Sequence, residues 1–281
     1  MSFDARLMPA RPEVAAEHLR GEVEAARFDP GRAMRVAVPV LDLTRHPDPD
    51  GPLETQLLLG EGFTVYDIDR KQQLGWGQSA TDDYVGWVPL ACLDEPEVAT
   101  HKVTALATHV YEEPSMKTRP IAALPFMAEL VVIGEEGDFY AAKAGGFIPR
   151  QHLAPVTQMA ADFVAECGRL LGVPYLWGGR SPWGIDCSAL IQTGLRACGK
   201  AALRDTDMQE ATLGTALPED APLERGDLIF WKGHIGVMED AETLLHANAH
   251  HMAVAREPLA EAVSRIEARG DGPITSRRRL S

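Results

Sequence analysis

One cysteine and two histidines in the last third of the chain have the types and order that nucleophilic acyl chemistry requires. Cys187 lies in Gly184-Ile185-Asp186-Cys187-Ser188-Ala189-Leu190, directly after a stretch rich in Gly and Pro from Gly178 to Gly184. Beyond it, Leu190, Ile191, Leu195 and Cys198 fall on one helical stripe, and Gly199 is a natural stop. The spacing predicts a helix with Cys187 in its first turn. Unpaired N–H groups and the helix dipole there favour a thiolate, the nucleophilic form. His234 opens the run His234-Ile235-Gly236-Val237-Met238, which follows Arg225-Gly226-Asp227-Leu228-Ile229-Phe230-Trp231 across a turn at Lys232-Gly233. His246 lies in a third run, Thr243-Leu244-Leu245-His246-Ala247, 12 positions after His234. Adjacent antiparallel strands would bring the two imidazoles side by side. His234 is then placed to take the thiol proton, and His246 to accept the other ring N–H and fix the tautomer.

The other three cysteines read as packing residues: Cys167 and Cys198 on apolar helix faces, Cys92 in a strand-rich region. With no CxxC spacing, all four are expected as free thiols of a reducing cytoplasm. A zinc site built from His234, His246, His250 and His251 is disfavoured. His250 and His251 are adjacent and project differently, and no acid or cysteine falls at the usual ligand spacing. Neither a metal nor a cofactor is expected.

Two similar units precede the segment that carries these residues. Gly86-Trp87-Val88-Pro89 followed by Leu93, and Gly146-Phe147-Ile148-Pro149 followed by Leu153, repeat one pattern: Gly, aromatic, β-branched, Pro, then Leu. It suits a last strand ending in a tight turn. Alternating runs lie upstream of each, Met34 to Leu43 and Gln56 to Tyr66, then His101 to Tyr111 and Phe126 to Ile133, with prolines between. The expected fold class is therefore multidomain: two small all-β SH3-like barrels, then an α+β domain. We assign residues 1–33 to an N-terminal helical extension beginning near Pro12, 34–97 to the first barrel, 98–155 to the second, and 156–281 to the last domain. A helix is expected over Thr157 to Leu171, ended by Gly172.

Bulk properties narrow the partners. The 281 residues carry a formal net charge of -14, which argues against nucleic acid and anionic lipid, since both require clustered Lys and Arg. The one basic run, Arg277-Arg278-Arg279, reads as a solvated tail or the flank of a last strand. No apolar run approaches the ~20 residues of a membrane span. No secretory signal pattern is visible at the N-terminus, so a cytoplasmic location is expected. The sequence leaves the oligomeric state open.

Residues 156–281 resemble the NlpC/P60 family of cell-wall cysteine peptidases. The resemblance rests on Pro174-Tyr175-Leu176-Trp177-Gly178-Gly179, Asp186-Cys187-Ser188-Ala189-Leu190, Arg225-Gly226-Asp227-Leu228-Ile229-Phe230-Trp231, His234-Ile235-Gly236-Val237 and His246-Ala247. Ala189 stands where the family usually has Gly. The Gly-Trp-Val-Pro element is similarly like that of bacterial SH3 domains. The resemblance implies a papain-like core with Cys187 as nucleophile, His234 as base and His246 as the orienting residue. It implies Tyr175 near the oxyanion, with Ser188 beside the nucleophile in the substrate site. It further implies a hydrolase of peptidoglycan stem peptides that cuts between γ-D-glutamate and a diamino acid, meso-diaminopimelate, in peptides with a free N-terminal L-Ala (murein recycling). Arg204-Asp205-Thr206 resembles the family's Arg-Asp-Ser segment, with Asp205 the candidate for the ammonium and Thr206 its hydrogen-bonding neighbour. Glu61 and Tyr84 of the first barrel are the cleft-capping candidates, and Arg180 is either a carboxylate contact or a surface residue. Two alternatives stay open: a non-catalytic protein that binds such peptides, and an amidase or acyltransferase of the same fold.

Overall fold

The computed structural model describes residues 4–280 as two compact units that divide between Gln158 and Met159. Among the described residues, no helix is long and apolar enough to cross a membrane.

The first unit is built of strands. Its N-terminal segment contributes a short parallel pair, β1 (Ala15–Ala16) and β2 (Phe28–Asp29). A seven-stranded sheet follows, made of β3 (Arg32–Val36), β4 (Val40–Thr44), β5 (Leu53–Leu58), β6 (Gly62–Asp69), β7 (Leu74–Ser79), β8 (Val85–Pro89) and β9 (Leu93–Asp94), in the order β5-β4-β8-β7-β6-β3-β9. Alternation sets which side packs: Leu41 and Leu43 are buried while Asp42 between them is exposed. The next strands are β10 (His101–Val103), β11 (Ala107–Tyr111), β12 (Pro120–Pro125), β13 (Glu129–Leu130), β14 (Val132–Glu136), β15 (Phe139–Ala142), β16 (Phe147–Pro149) and β17 (Leu153–Pro155). They form a five-stranded sheet, β12-β11-β16-β15-β14, and a three-stranded one, β13-β10-β17. Val103, Val110, Leu124, Leu130 and Ile148 close a separate core between these sheets.

The internal repeat corresponds to one recurring piece of structure. Gly86 to Pro89 lies on β8, a single 3-10 turn covers Leu90–Cys92, and Leu93 begins β9. Phe147 to Pro149 forms β16, a 3-10 turn covers Arg150–His152, and Leu153 begins β17. Each motif strand is next to last rather than last.

The N-terminal helical expectation is overturned. Between residues 4 and 31 the only helical element is a 3-10 turn at Glu17–Leu19. Val14, Ala15 and Ala16 are all fully buried in succession, and Ala15–Ala16 form strand β1. Val14, Ala16 and Leu19 instead pack on Tyr66, Trp76 and Trp87, and the Arg11 guanidinium sits 4.3 Å from the Trp76 ring centroid. Burial against these aromatic faces outweighs the helix preference of alanine, because tertiary packing overrides local propensity.

The second unit opens with α1 (Phe163–Gly168), capped by Asp162, whose carboxylate accepts from the Val164 and Ala165 amides. The helix expected from Thr157 therefore begins six residues later, where a capping side chain exists. A hairpin of β18 (Arg180–Ser181) and β19 (Gly184–Ile185) leads into α2 (Cys187–Ala197), then α3 (Thr206–Thr212). The remaining elements are β20 (Thr215–Ala216), β21 (Leu228–Trp231), β22 (His234–Met238), β23 (Thr243–Asn248), β24 (Ala253–Pro258), α4 (Leu259–Arg269) and β25 (Ser276–Arg279). The six strands order as β20-β25-β21-β22-β23-β24. All four residues of β21 are buried, because helices cover both faces: α2 contacts β22 and β23, while Ala262 and Ile266 of α4 pack with Ile229, Trp231, Met238 and Leu244. The basic run is not a tail. It forms β25, paired with β21, and Arg279 holds Asp227 at 2.7 Å.

Candidate active site

Asp186, which caps α2, organises the Cys187 end of the site. Its Oδ1 accepts the Ala189 amide at 2.8 Å, the Ser188 hydroxyl at 3.1 Å and Arg204 Nη1 at 2.9 Å. Its Oδ2 accepts Arg204 Nη2 at 2.6 Å and the Gly178 amide at 2.9 Å. Gly178 reaches it from a left-handed backbone, φ +77°, which glycine adopts without strain. The guanidinium of Arg204 is buried, so the Asp186–Arg204 pair ties the loop before Cys187 to the segment before α3.

Cys187 is the first residue of α2 and is buried, as its spacing predicts. Its Sγ lies 3.8 Å from the Thr206 hydroxyl and accepts from the backbone N–H of Ile235, the residue after His234. The strand that starts with His234 therefore runs against the sulfur. Burial, reinforced by the adjacent Asp186 carboxylate, pushes the Cys187 thiol up to about 11, against the opposing pull of Thr206, Ile235 N–H and Arg204.

His234 and His246 meet as their strand spacing requires. β22 and β23 pair antiparallel, and His234 Nε2 lies 2.8 Å from His246 Nδ1. Gly236, between them on β22, makes room: a Cβ there would stand 2.7 Å from Leu244 Cδ1 and 3.1 Å from His246 Cβ. Burial pushes the His234 imidazolium down to about 3, with further lowering from His246 and Arg265, so this ring is neutral at pH 7.

A fourth member, unread in the sequence, ends the chain of imidazoles. His246 Nε2 lies 2.7 Å from Glu257 Oε1 on β24, and Arg265 of α4 donates to that same oxygen. Burial alone would raise the Glu257 carboxyl, but the His246 and Arg265 contacts hold it down at about 2. An ionised carboxylate only accepts hydrogen bonds, which fixes every proton in the row. His246 carries its proton on Nε2, so its Nδ1 accepts; His234 carries its own on Nε2, which leaves His234 Nδ1 as the basic atom. The arrangement supplies a thiol, a neutral base of defined tautomer, and a carboxylate that stabilises the imidazolium formed when the proton moves.

The remaining candidates divide. Tyr175 lies by Cys187: burial, then Cys187 and Asp186, raise its phenol well above the ordinary range, so it is a neutral donor. Thr206 touches the sulfur, and Asp205, half-buried, directly precedes it at the start of α3. The Ser188 side chain is buried and its hydroxyl is taken up between Arg204 and Asp186. Arg180 is buried rather than on the surface. Glu61 and Tyr84 belong to the first unit and are buried within it. Glu61 accepts the Leu58 amide at 3.0 Å, and the Tyr84 hydroxyl lies 3.4 Å from Glu54 Oε2. Cys92, Cys167 and Cys198 are free thiols, as is Cys187. His246, His251 and Glu257 bring ligand-type atoms within 4.8 Å of one another. Arg265 already occupies the carboxylate, a poor setting for a second cation.

Residues 172–267 match the model of the NlpC/P60 family, and residues 43–93 match the bacterial dipeptidyl-peptidase SH3 domain. The SH3 match covers only the first of the two strand groups in the first unit. The chain is 30% identical over 230 residues to the gamma-D-glutamyl-L-lysine dipeptidyl-peptidase of Bacillus cereus, covering 72% of this chain and 64% of that protein, a little under two thirds of its length. It is 28% identical over 243 residues to the protein of the same name from Bacillus subtilis, covering 76% and 78%. A crystal structure of an NlpC/P60 family protein from Bacillus cereus shares the fold, with a TM-score of 0.73 and 22% identity over 88% of this chain and 99% of that one.

Proposed function

We propose a function for this chain, which belongs to the NlpC/P60 family, from the row of groups that starts at Cys187: it is a cysteine peptidase that hydrolyses the bond between γ-D-glutamate and a diamino acid, of the meso-diaminopimelate type, in peptidoglycan stem peptides. Catalysis takes place on a papain-like core, in which the nucleophile's helix packs on the antiparallel sheet that carries the base. The second strand group of the first unit is read as a further SH3-like barrel. The observation that carries the reading is the hydrogen-bonded series His234–His246–Glu257, which begins one residue from the amide held by the Cys187 sulfur.

With the thiol held high and the imidazole held low, the resting pair is neutral. Sγ attacks the γ-carbonyl as its proton passes to His234 Nδ1. The Tyr175 hydroxyl donates to the oxyanion. His234 then protonates the leaving amine of the diamino acid, and a thioester remains on Cys187. Water, deprotonated by His234, releases the γ-D-glutamyl product. Asp205, next to Thr206, is the group that meets the ammonium of a free N-terminal L-Ala, and an acylated terminus leaves that carboxylate without its partner.

The test is incubation with L-Ala-γ-D-Glu-meso-diaminopimelate beside its N-acetylated form. Free diaminopimelate is released from the first, and kcat/KM for the second is lower by about 100-fold, the cost of one lost charge-assisted contact. Release by the Cys187→Ala variant at the wild-type rate overturns the reading.

A further inference from the structure

Beside His234 the second unit holds a cavity of about 290 Å3 whose wall includes Tyr175, Trp177, Lys232, Arg265 and Arg269. Its character runs against the chain. In a protein of net charge -14, three cationic side chains border it and Asp271 is the one carboxylate in its wall. Arg265 is engaged by Glu257, and Arg269 Nη2 lies 3.0 Å from His250 Nδ1. Among the described residues neither Lys232 nor Arg269 has a carboxylate partner.

Two buried donors in the same wall also lack acceptors. Trp231 Nε1 and Asn248 Nδ2 have no hydrogen-bond partner, although both side chains are more than nine-tenths buried. The Asn248 carbonyl is already used, since Oδ1 accepts the His251 amide at 2.8 Å, and only its N–H groups remain. Orphaned buried donors are rare, and each calls for an acceptor supplied from elsewhere. Such donors, in residues of a wall whose Lys232 and Arg269 lack a carboxylate partner, give the cavity the chemistry of an anion site.

Its position says which anion. His234 hands its proton to the leaving amine, so the residue attached to that amine extends into space bordered by His234. Cys187, which keeps the acyl part, is not in the wall. Trp177, 71% exposed, offers an indole face for an aliphatic chain. On the reading given under Proposed function, we infer that this cavity receives the leaving diamino acid and selects one that carries a carboxylate at the far end of its side chain. Trp231, Asn248, Lys232 and Arg269 bind that carboxylate, and a side chain that ends in a lone ammonium, as lysine does, is repelled.

The test compares kcat/KM on L-Ala-γ-D-Glu-meso-diaminopimelate, on the same peptide with its distal carboxylate amidated, and on L-Ala-γ-D-Glu-L-Lys. We expect the dicarboxylic residue to be preferred over both others by about tenfold or more, the scale of one charge-assisted contact. The Lys232→Met/Arg269→Met double variant brings the preference to within about twofold, with the lysine peptide's rate rising as the like-charge repulsion is removed. Trp231→Phe, which keeps the ring and removes one donor, lowers the preference for the dicarboxylic residue. Equal wild-type rates on all three peptides, or a preference untouched by these variants, overturn the pocket and leave the peptidase reading intact. Cleavage of none of the three overturns both.

Discussion

Glu257 sets the tautomer of both imidazoles, and two substitutions separate that role from its charge. One oxygen, Oε1, accepts both from His246 Nε2 at 2.7 Å and from Arg265. In Glu257→Gln the amide carbonyl can occupy that position, so the proton order in His246 and His234 survives and only the negative charge is lost. In Glu257→Leu the acceptor is gone. His246 is then free to move its proton to Nδ1 and donate to His234 Nε2, which places the His234 proton on Nδ1, the atom that must receive the thiol's. A hydrogen bond to a charged group contributes about 1.5–3 kcal/mol, or about 10- to 100-fold in rate if transmitted in full. The leucine variant adds the wrong tautomer, so its kcat falls by about 100-fold or more, while the glutamine variant stays within about tenfold of wild type. The pH profile supplies a readout that loosened packing would not give. Glu257 raises the proton affinity of both rings, so its removal moves the acid limb of kcat/KM to lower pH. The assay is steady-state release of the diamino acid from the stem tripeptide, with thermal unfolding as the control for folding. A leucine variant that folds normally and keeps kcat within about threefold of wild type refutes the tautomer argument.

Two further outcomes follow from the nucleophile end. Cys187 should be alkylated by iodoacetamide at a rate that climbs about tenfold per pH unit from 7 towards the thiol's value of about 11, with no plateau in mild acid; a rate already flat by pH 6 would mean a preformed thiolate–imidazolium pair. Arg204→Met leaves the Asp186 carboxylate buried without its cation, and should destabilise the second unit by about 3–5 kcal/mol. Calorimetry on the full chain should register this as a melting transition lowered by about 10 °C, and an unchanged transition would refute it.

How much of the site was legible depended on how local its signals are. Cys187 announces itself within ten residues: a capping Asp186, a preceding glycine loop and a following apolar stripe each act over one or two turns of chain. The histidines are legible because β22 and β23 are buried strands joined by a short turn, so alternation and length fix their register. The N-terminal segment failed as a helix because its partner, the aromatic face of Tyr66, Trp76 and Trp87, lies tens of residues away and leaves no mark on the local pattern. The setting of Ser188 was hidden for a related reason: nothing near it says that Arg204 will be buried on top of its hydroxyl.

Glu257 is the instructive miss. In Arg256-Glu257-Pro258 it looks like a surface charge before a helix, and two of those three residues are indeed exposed. Its role comes from register. β23 and β24 pair antiparallel around the turn after Asn248, which sets Asn248 opposite Ala253, His246 opposite Ala255 and Leu244 opposite Glu257. Side chains alternate along a strand, so Leu244 and His246 share a face, and Glu257 shares it from the neighbouring strand, one diagonal step from the imidazole. The signal was therefore present as arithmetic: once the turn is placed between Asn248 and Ala253, the only carboxylate on the His246 side of β24 is Glu257. What the sequence could not supply is Arg265, one helix later, whose guanidinium keeps that carboxylate ionised and oriented. Together with His246 it holds the carboxyl in its acceptor form, and an acceptor at that end of the row is what leaves Nδ1 as the basic atom of His234.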